Sequence, residues 1–293
     1  MFINGTKTME KKTNNRKRIA IQGGYGAFHE IAAKYYFQGE DIEIVPCDTF
    51  KDLFRSVKQR KSDFGIMAIE NTLAGSIIPN YKLIHESSKK IIGEIYLRIV
   101  QNLVALPGQK IKDLTEVYSH PIAIMQCQAF FDKYPNIRLI DAIDTALSAK
   151  MIKEKNLIGI GAITSDIAAQ MYDMEILAEG IETNKFNYTR FWILEDGDGK
   201  NLTNKKANKA SIYFSLAHQI GSLSKILSIL SFYDMNLSKI QSLPIMGSDW
   251  QYFFYVDVEF SDYTRYKQSM DAIKPFTEEF GLLGEYTKGK AIM

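Results

Sequence analysis

Residues 18–26, Arg18-Ile19-Ala20-Ile21-Gln22-Gly23-Gly24-Tyr25-Gly26, together with the helically spaced apolar residues that follow over 28–37, decide the fold. A short apolar strand that runs through a glycine turn into a helix is the opening unit of an α/β layer. The same grammar continues outward from it. A second strand over 42–47 ends at Asp48-Thr49, one of which is placed to cap an amphipathic helix over 50–60. A third strand over 65–69 runs into Glu70-Asn71-Thr72-Leu73-Ala74-Gly75-Ser76, and a helix over 77–86 follows.

From Val117 the pattern returns. A strand leads into Ser119-His120-Pro121, a helix covers 123–133, a strand covers 137–140, and Asp144-Thr145 caps a helix that runs to Lys155. Asp48-Thr49 stands 17 residues before Gly65 and Asp144-Thr145 stands 15 before Gly159, whose strand ends at a further helix cap, Thr164-Ser165-Asp166. Matching order, spacing and cap chemistry predict two α/β lobes of similar plan. The expected division of a unit spanning 18–195 puts 18–90 plus 175–195 in one lobe and 91–174 in the other. Parallel α/β layers hold ligands beyond the carboxyl ends of their strands, where helix N-termini expose unpaired amides and partial positive charge. Two facing lobes aim several such helix starts at one place, and the loops concerned carry few Lys or Arg. The expected ligand is a small dianion.

Composition narrows the class. A chain of 293 residues suits roughly two domains, and 46% hydrophobic with 24% charged residues is ordinary for a globular protein. No run of about 18 apolar residues exists, so a membrane span is not expected. The formal charge of +2 comes from residues 1–18, which hold six Lys or Arg and one Glu; the remainder has 30 basic and 33 acidic residues. A mildly acidic body does not read as a nucleic-acid binder. Residues 1–17 lack the apolar core of a secretory signal and read as a flexible basic tail. Cys47 and Cys127 show neither metal-ligand nor redox spacing, and the four His are scattered. That pattern fits ordinary thiols in a reducing cytoplasm and suggests no metal site. Cys127 falls within an expected helix and is expected to be buried and inert.

Asn187-Tyr188-Thr189-Arg190-Phe191 leads into the last strand of this unit, expected over 191–194, with a hydroxyl, a guanidinium and an amide able to converge on one anion at the strand's mouth. Residues 196–208 then turn polar and Gly- and Asn-rich, a linker. Beyond it, strand (210–217), helix (222–233), strand (236–243), strand (250–260), helix (263–274) and strand (282–287) give the βαββαβ order of a ferredoxin-like domain over 209–293.

The motifs GGYGAF (23–28), IENTLAGS (69–76), SHPIAIMQC (119–127), DTALSA (144–149) and NYTRF (187–191) resemble, in order, those of the prephenate dehydratases, and the C-terminal domain looks like an ACT domain. The resemblance implies a two-lobed, periplasmic-binding-protein-like catalytic domain that converts prephenate to phenylpyruvate in phenylalanine biosynthesis. Arogenate dehydration, or non-catalytic sensing of a dianion, are the alternatives. The reaction creates an aromatic ring by expelling a carboxylate and a hydroxyl, and so requires no cofactor. The residue that the family ties to catalysis is Thr189 here. Glu70 and His120 are candidate general acids; Glu70 could instead cap the next turn, and His120 could be a hydrogen-bonded loop histidine. Asn71, Thr72, Ser119, Gln126, Thr145, Asn187 and Phe191 are candidate substrate binders, and Arg190 either clamps a carboxylate or braces the hinge. Asp48 and Asp144 read as caps, since either would repel a dianion.

Departures from the family pattern are sharpest in the second domain. Pro-Gly-Ala-Leu appears as Ile220-Gly221-Ser222-Leu223, and Glu-Ser-Arg-Pro as Gln241-Ser242-Leu243-Pro244. Any phenylalanine effector would then rest on Gly221, Ser222, Leu223, Asn236, Gln241 and Ser242, without the Glu and Arg charges, and feedback should be weak. ACT-like domains commonly pair, so a homodimer or homotetramer is expected, with the aromatic strand over 250–260 at its interface.

Overall fold

The computed structural model describes residues 16–197, 206–247 and 250–292. Most of the expected tail and of the expected linker lies outside the described residues. In chain order, the first lobe comprises β1 (Lys17–Gln22), α1 (Phe28–Tyr36), β2 (Ile42–Cys47), α2 (Phe50–Lys58), β3 (Phe64–Asn71), the short β4 (Gly75–Ser76), α3 (Ile78–His85) and β5 (Lys89–Arg98). The second lobe follows with β6 (Asn102–Ala105), β7 (Glu116–Ser119), α4 (Pro121–Gln126), α5 (Gln128–Phe131), β8 (Arg138–Asp141), α6 (Thr145–Lys155), β9 (Ile160–Thr164), α7 (Asp166–Met171) and β10 (Glu175–Ala178). Strand β11 (Tyr188–Asp196) returns to the first lobe. The C-terminal domain holds β12 (Lys209–Ser215), α8 (Ser222–Phe232), β13 (Asn236–Pro244), β14 (Tyr252–Glu259), α9 (Tyr263–Ile273) and β15 (Glu279–Tyr286), after which β16 (Ala291–Ile292) pairs with β5.

The repeat is visible in the sheets. In the first, β2-β1-β3 run parallel, β11 lies antiparallel beside β3, and β5 lies antiparallel beside β11; in the second, β8-β7-β9 run parallel, β6 lies antiparallel beside β9, and β10 lies antiparallel beside β6. This pairing corrects the expected division. Residues 91–98 belong to the first lobe, because β5 is the partner of β11, and 175–178 belong to the second, because β10 pairs with β6. The chain therefore crosses between lobes at 99–101 and again at 179–187.

The caps follow the sequence: Thr49, Asp144 and Ser165 each accept a backbone N–H of the helix they open. The single helix expected over 123–133 is instead two short ones, divided at Cys127. Cys127 is buried, and burial pushes its thiol up to about 12. The glycine turn packs directly on the other lobe. Gly26 has φ +84, and a Cβ there would lie 2.8 Å from Ala168 Cα, so both backbone shape and space require glycine. Ala27, Ala146 and Ala168 form a small apolar seam beside it.

The C-terminal sheet, in order β13-β14-β12-β15, is covered on one face by α8 and α9 over a core including Ile212, Phe214, Val256 and Val258. Its other face, with Tyr255, Leu283 and Tyr286, packs on Met67, Ile69, Trp192 and Leu194 at the back of the first lobe's sheet. Two expectations change here. Both sides of β14 are taken by β13 and β12, so the 250–260 strand cannot pair edge to edge; β13 and β15 are the outer strands. The proposed effector residues also do not all converge within the chain. Gln241 and Ser242 lie towards the end of β13 that pairs with Phe253 and Phe254, the end from which the chain leaves β12 to open α8 at Gly221, Ser222 and Leu223. Asn236 begins β13 at the opposite end, about 16 Å along the strand from Gln241. Among the described residues, no helix is long and apolar enough to cross a membrane.

Candidate active site

Between the lobes lies a cleft of about 490 Å³. Its wall includes Ala27, Ile77, His120 and Asp144, the N-cap residues of α1, α3, α4 and α6. Four helices thus begin at the cleft, and their first amides have no partner within the helix. Among the described residues, no Lys or Arg lines the cleft. Phe28, Phe50, Phe191, Ile77 and Ile78 supply apolar surface. Such a site attracts a small anion with helix starts and neutral donors, while its apolar walls suit a six-membered ring.

Strand alternation in β11 places Thr189 and Phe191 on the cleft side and Arg190 on the other. Thr189 is 8% exposed, and its Oγ1 accepts from Asn71 Nδ2 at 3.0 Å. Asn71 Nδ2 also reaches Asn187 Oδ1 at 2.8 Å, and Asn71 Oδ1 accepts from the amides of Leu73 and Ala74 at 2.9 Å. Gln126 ties this group to the second lobe: its Oε1 accepts from Asn187 Nδ2 at 2.9 Å and from Gln101 Nε2 at 3.3 Å. With Asn71 donating to it, the Thr189 oxygen has its own hydrogen left to donate into the cleft.

Several expected site residues stand elsewhere. Glu70 would face the cleft by simple alternation with Ala68, but the pairing of β11 with β3 skips Ile69, and this bulge turns Glu70 to the back of the sheet. There its carboxylate accepts from Lys239 of the C-terminal domain at 2.6 Å, and it is not a general acid in the cleft. Arg190 likewise points away, into the domain interface, and does not clamp substrate. Ser119 is fully buried and donates to Ile163 O at 2.8 Å, inside the second sheet. Thr72 donates to Phe186 O and accepts from Tyr188 N, which braces the returning crossover rather than lining the cleft. Asn187 supports the wall from behind, while Asn71, Gln126, Thr145, His120, Thr189 and Phe191 line it.

Gln101 and His29 are among the lining residues not singled out from sequence. Gln101 sits in the first crossover, where no motif marks it. His29 follows directly on the GGYGAF turn, between the rings of Phe50 and Phe191, and accepts from Ala68 N. Burial lowers His29 to about 3, so it is neutral at ordinary pH. Burial also lowers His120, against the pull of Asp144 and Asp141, while its Nδ1 caps Ile122 N. Burial raises Asp144, opposed by the amides of Leu147, Ala146 and Gly24 that bond its carboxylate.

On the back face, the Arg190 guanidinium is buried among Glu94, Asp257 and Tyr286: Nε donates to Glu94 Oε2 at 2.7 Å, Nη2 to the Tyr286 hydroxyl at 3.2 Å, and Nη1 pairs with Asp257. Burial pushes the Asp257 carboxyl up, but Arg190, Lys209 and Ser211 outweigh it and hold it below the usual range.

The family model for prephenate dehydratase matches residues 19–198. A bifunctional chorismate mutase/prephenate dehydratase of Aquifex aeolicus is 31% identical over 289 residues, 98% of this chain and 77% of that protein. An arogenate dehydratase/prephenate dehydratase of Arabidopsis thaliana is 35% identical over 288 residues, 93% of this chain and 72% of that protein. Among solved structures, prephenate dehydratase of Arthrobacter aurescens in complex with L-Phe superposes with a TM-score of 0.82 at 25% identity, covering 92% of this chain and 89% of that one. GqqA, described as a novel type of quorum quenching acylase, superposes at 0.83 with 27% identity, covering 93% and 98%. With a family model over both lobes and relatives matched across nearly the whole chain, this protein belongs to the prephenate dehydratase family, a family of hydro-lyases.

Proposed function

We propose that Thr189 is the catalytic residue for dehydration of prephenate, and that Asn71 orients it. The observation that carries this reading is the Asn71 Nδ2 to Thr189 Oγ1 hydrogen bond, which leaves the hydroxyl hydrogen as the donor facing the cleft. In the reaction the bond between the ring and its carboxylate breaks, its electron pair moves through the ring, and the opposite carbon–oxygen bond breaks, its electron pair leaving with the hydroxyl oxygen. One proton is consumed, giving carbon dioxide, water and phenylpyruvate. Thr189 stabilises the charge that develops on the departing oxygen. His29 and His120, both lowered by burial, are poor standing acids at neutral pH, so the task falls to the hydroxyl. An apolar wall of Phe28, Phe50 and Phe191 favours loss of a carboxylate by withholding water from it. A Thr oxygen that accepts from an amide suits polarising a leaving group better than nucleophilic attack, which speaks against an acylase role here.

Prephenate rather than arogenate is the better substrate on this reading. Asp144 is the carboxylate among the described lining residues, and its oxygens are engaged by backbone amides, so the ammonium of arogenate finds no free charged partner. Turnover measured on both substrates tests this; equal or faster arogenate turnover would contradict it.

Phenylalanine would be held by the amides at Gly221-Ser222-Leu223 and by Gln241 and Ser242, with neutral groups in place of two charges. The loss is about 1–3 kcal/mol, or about 5- to 150-fold in affinity. Weak inhibition by phenylalanine is the expected result, tightened in the double variant Gln241→Glu, Leu243→Arg; tight inhibition unchanged by that variant would refute it. The outer strand β13, exposed at every second residue, is the proposed edge for a homodimer or homotetramer, which a monomeric sedimentation profile at micromolar protein would rule out. Free Cys47 and Cys127 are consistent with a cytoplasmic location, where catalysis with no cofactor is expected.

A further inference from the structure

Strand β11 joins two environments within two residues. Thr189 faces the cleft, and Arg190 is bonded to Glu94 of the first lobe and to Asp257 and Tyr286 of the C-terminal domain. Asp257 also accepts from Ser211 Oγ, which ties it to the neighbouring strand β12, and Lys209 Nζ reaches back to Glu94 Oε1 at 3.0 Å. Each domain contributes one positive and one negative group: Arg190 with Glu94 from one, Lys209 with Asp257 from the other.

A second contact runs beside the first. Lys239 Nζ on β13 donates to Glu70 at 2.6 Å and to Ser76 Oγ at 2.8 Å. Glu70 adjoins Asn71, which orients Thr189, and Ser76 lines the cleft. Both contacts therefore end one residue from the pair that carries the chemistry. Backbone at β11 and β3 is held from behind by side chains of the C-terminal sheet.

We propose that Asp257 is a positioning residue for the dehydration: through Arg190 it fixes β11 at Thr189, so that the seating of the C-terminal sheet on the first lobe sets how well the Thr189 hydroxyl meets the departing oxygen. The inference rests on Thr189 being the catalytic residue. Misplacement of a catalytic group by a fraction of an ångström is felt in kcat more than in substrate binding. Lys239, through Glu70, does the same for Asn71.

The test is a double-mutant cycle on the full chain. Asp257→Asn should lower kcat about 10-fold with the KM for prephenate within about twofold, and should have no further effect on kcat in a Thr189→Ala background, because the residue it acts through is gone. Wild-type kcat in Asp257→Asn, or the same fractional loss with and without Thr189, would overturn the proposal. Should Asp257→Asn fail to fold, Lys239→Met, which breaks a less buried pair, carries the same expectation at about 3- to 10-fold; wild-type kcat there would overturn it. Wild-type turnover by Thr189→Ala would instead remove the reading of the site on which the inference stands.

Discussion

Thr189→Ala lowers prephenate turnover about 10²–10⁴-fold, the span expected for a positioned polarising group, with little change in stability. The two parts of this expectation come from the same contacts. Thr189 is the hydroxyl whose oxygen is fixed by Asn71 and whose hydrogen is free to face the cleft. Asn71 Nδ2 keeps Asn187 Oδ1 and Tyr188 O as acceptors when Thr189 is removed, so no buried donor is stranded. Thr189→Ser, which keeps the oxygen, should retain much of the activity. The measurement is kcat from phenylpyruvate absorbance in alkali, beside a thermal melt. A folded Thr189→Ala protein at the wild-type rate would show that the site has been misassigned.

Arg190→Met has its largest effect on stability. It leaves the buried carboxylates of Glu94 and Asp257 short of their shared cation, a loss of about 3–5 kcal/mol for breaking a buried pair. Lys209 stays with Glu94 and Ser211 with Asp257, which limits the damage. Denaturant unfolding of the variant measures it. A substrate clamp would behave oppositely, with KM raised and the unfolding midpoint nearly unchanged; that result would contradict the assignment of Arg190 to the domain interface.

The contrast between these neighbours shows what could be read from the sequence. Glycine turns, caps and spacing were enough for two α/β lobes and a βαββαβ domain, because each of those signals is local. The sequence does not separate the adjacent Thr189 and Arg190, and leaves Arg190 either converging with Thr189 on one anion or bracing the hinge; strand pairing and the C-terminal sheet behind β11 send them to opposite faces. Glu70 was not readable either. Alternation puts it in the cleft with Ala68, and the bulge at Ile69 that reverses it depends on pairing with a strand more than a hundred residues later. The same holds for β5, which joins the first lobe through β11, and for the docking of the C-terminal sheet, which no local pattern announces. His29 carried a signal, its place directly after the glycine turn, but a histidine there has nothing in the sequence to say that two aromatic rings will enclose it.

Turnover itself tests the central claim most directly. Purified protein, dialysed exhaustively against chelator and mixed with prephenate, should release phenylpyruvate and carbon dioxide in equal amounts with no added cofactor. Prephenate bound by the folded protein with no phenylpyruvate formed, or formed only when a divalent ion is restored, would contradict the account.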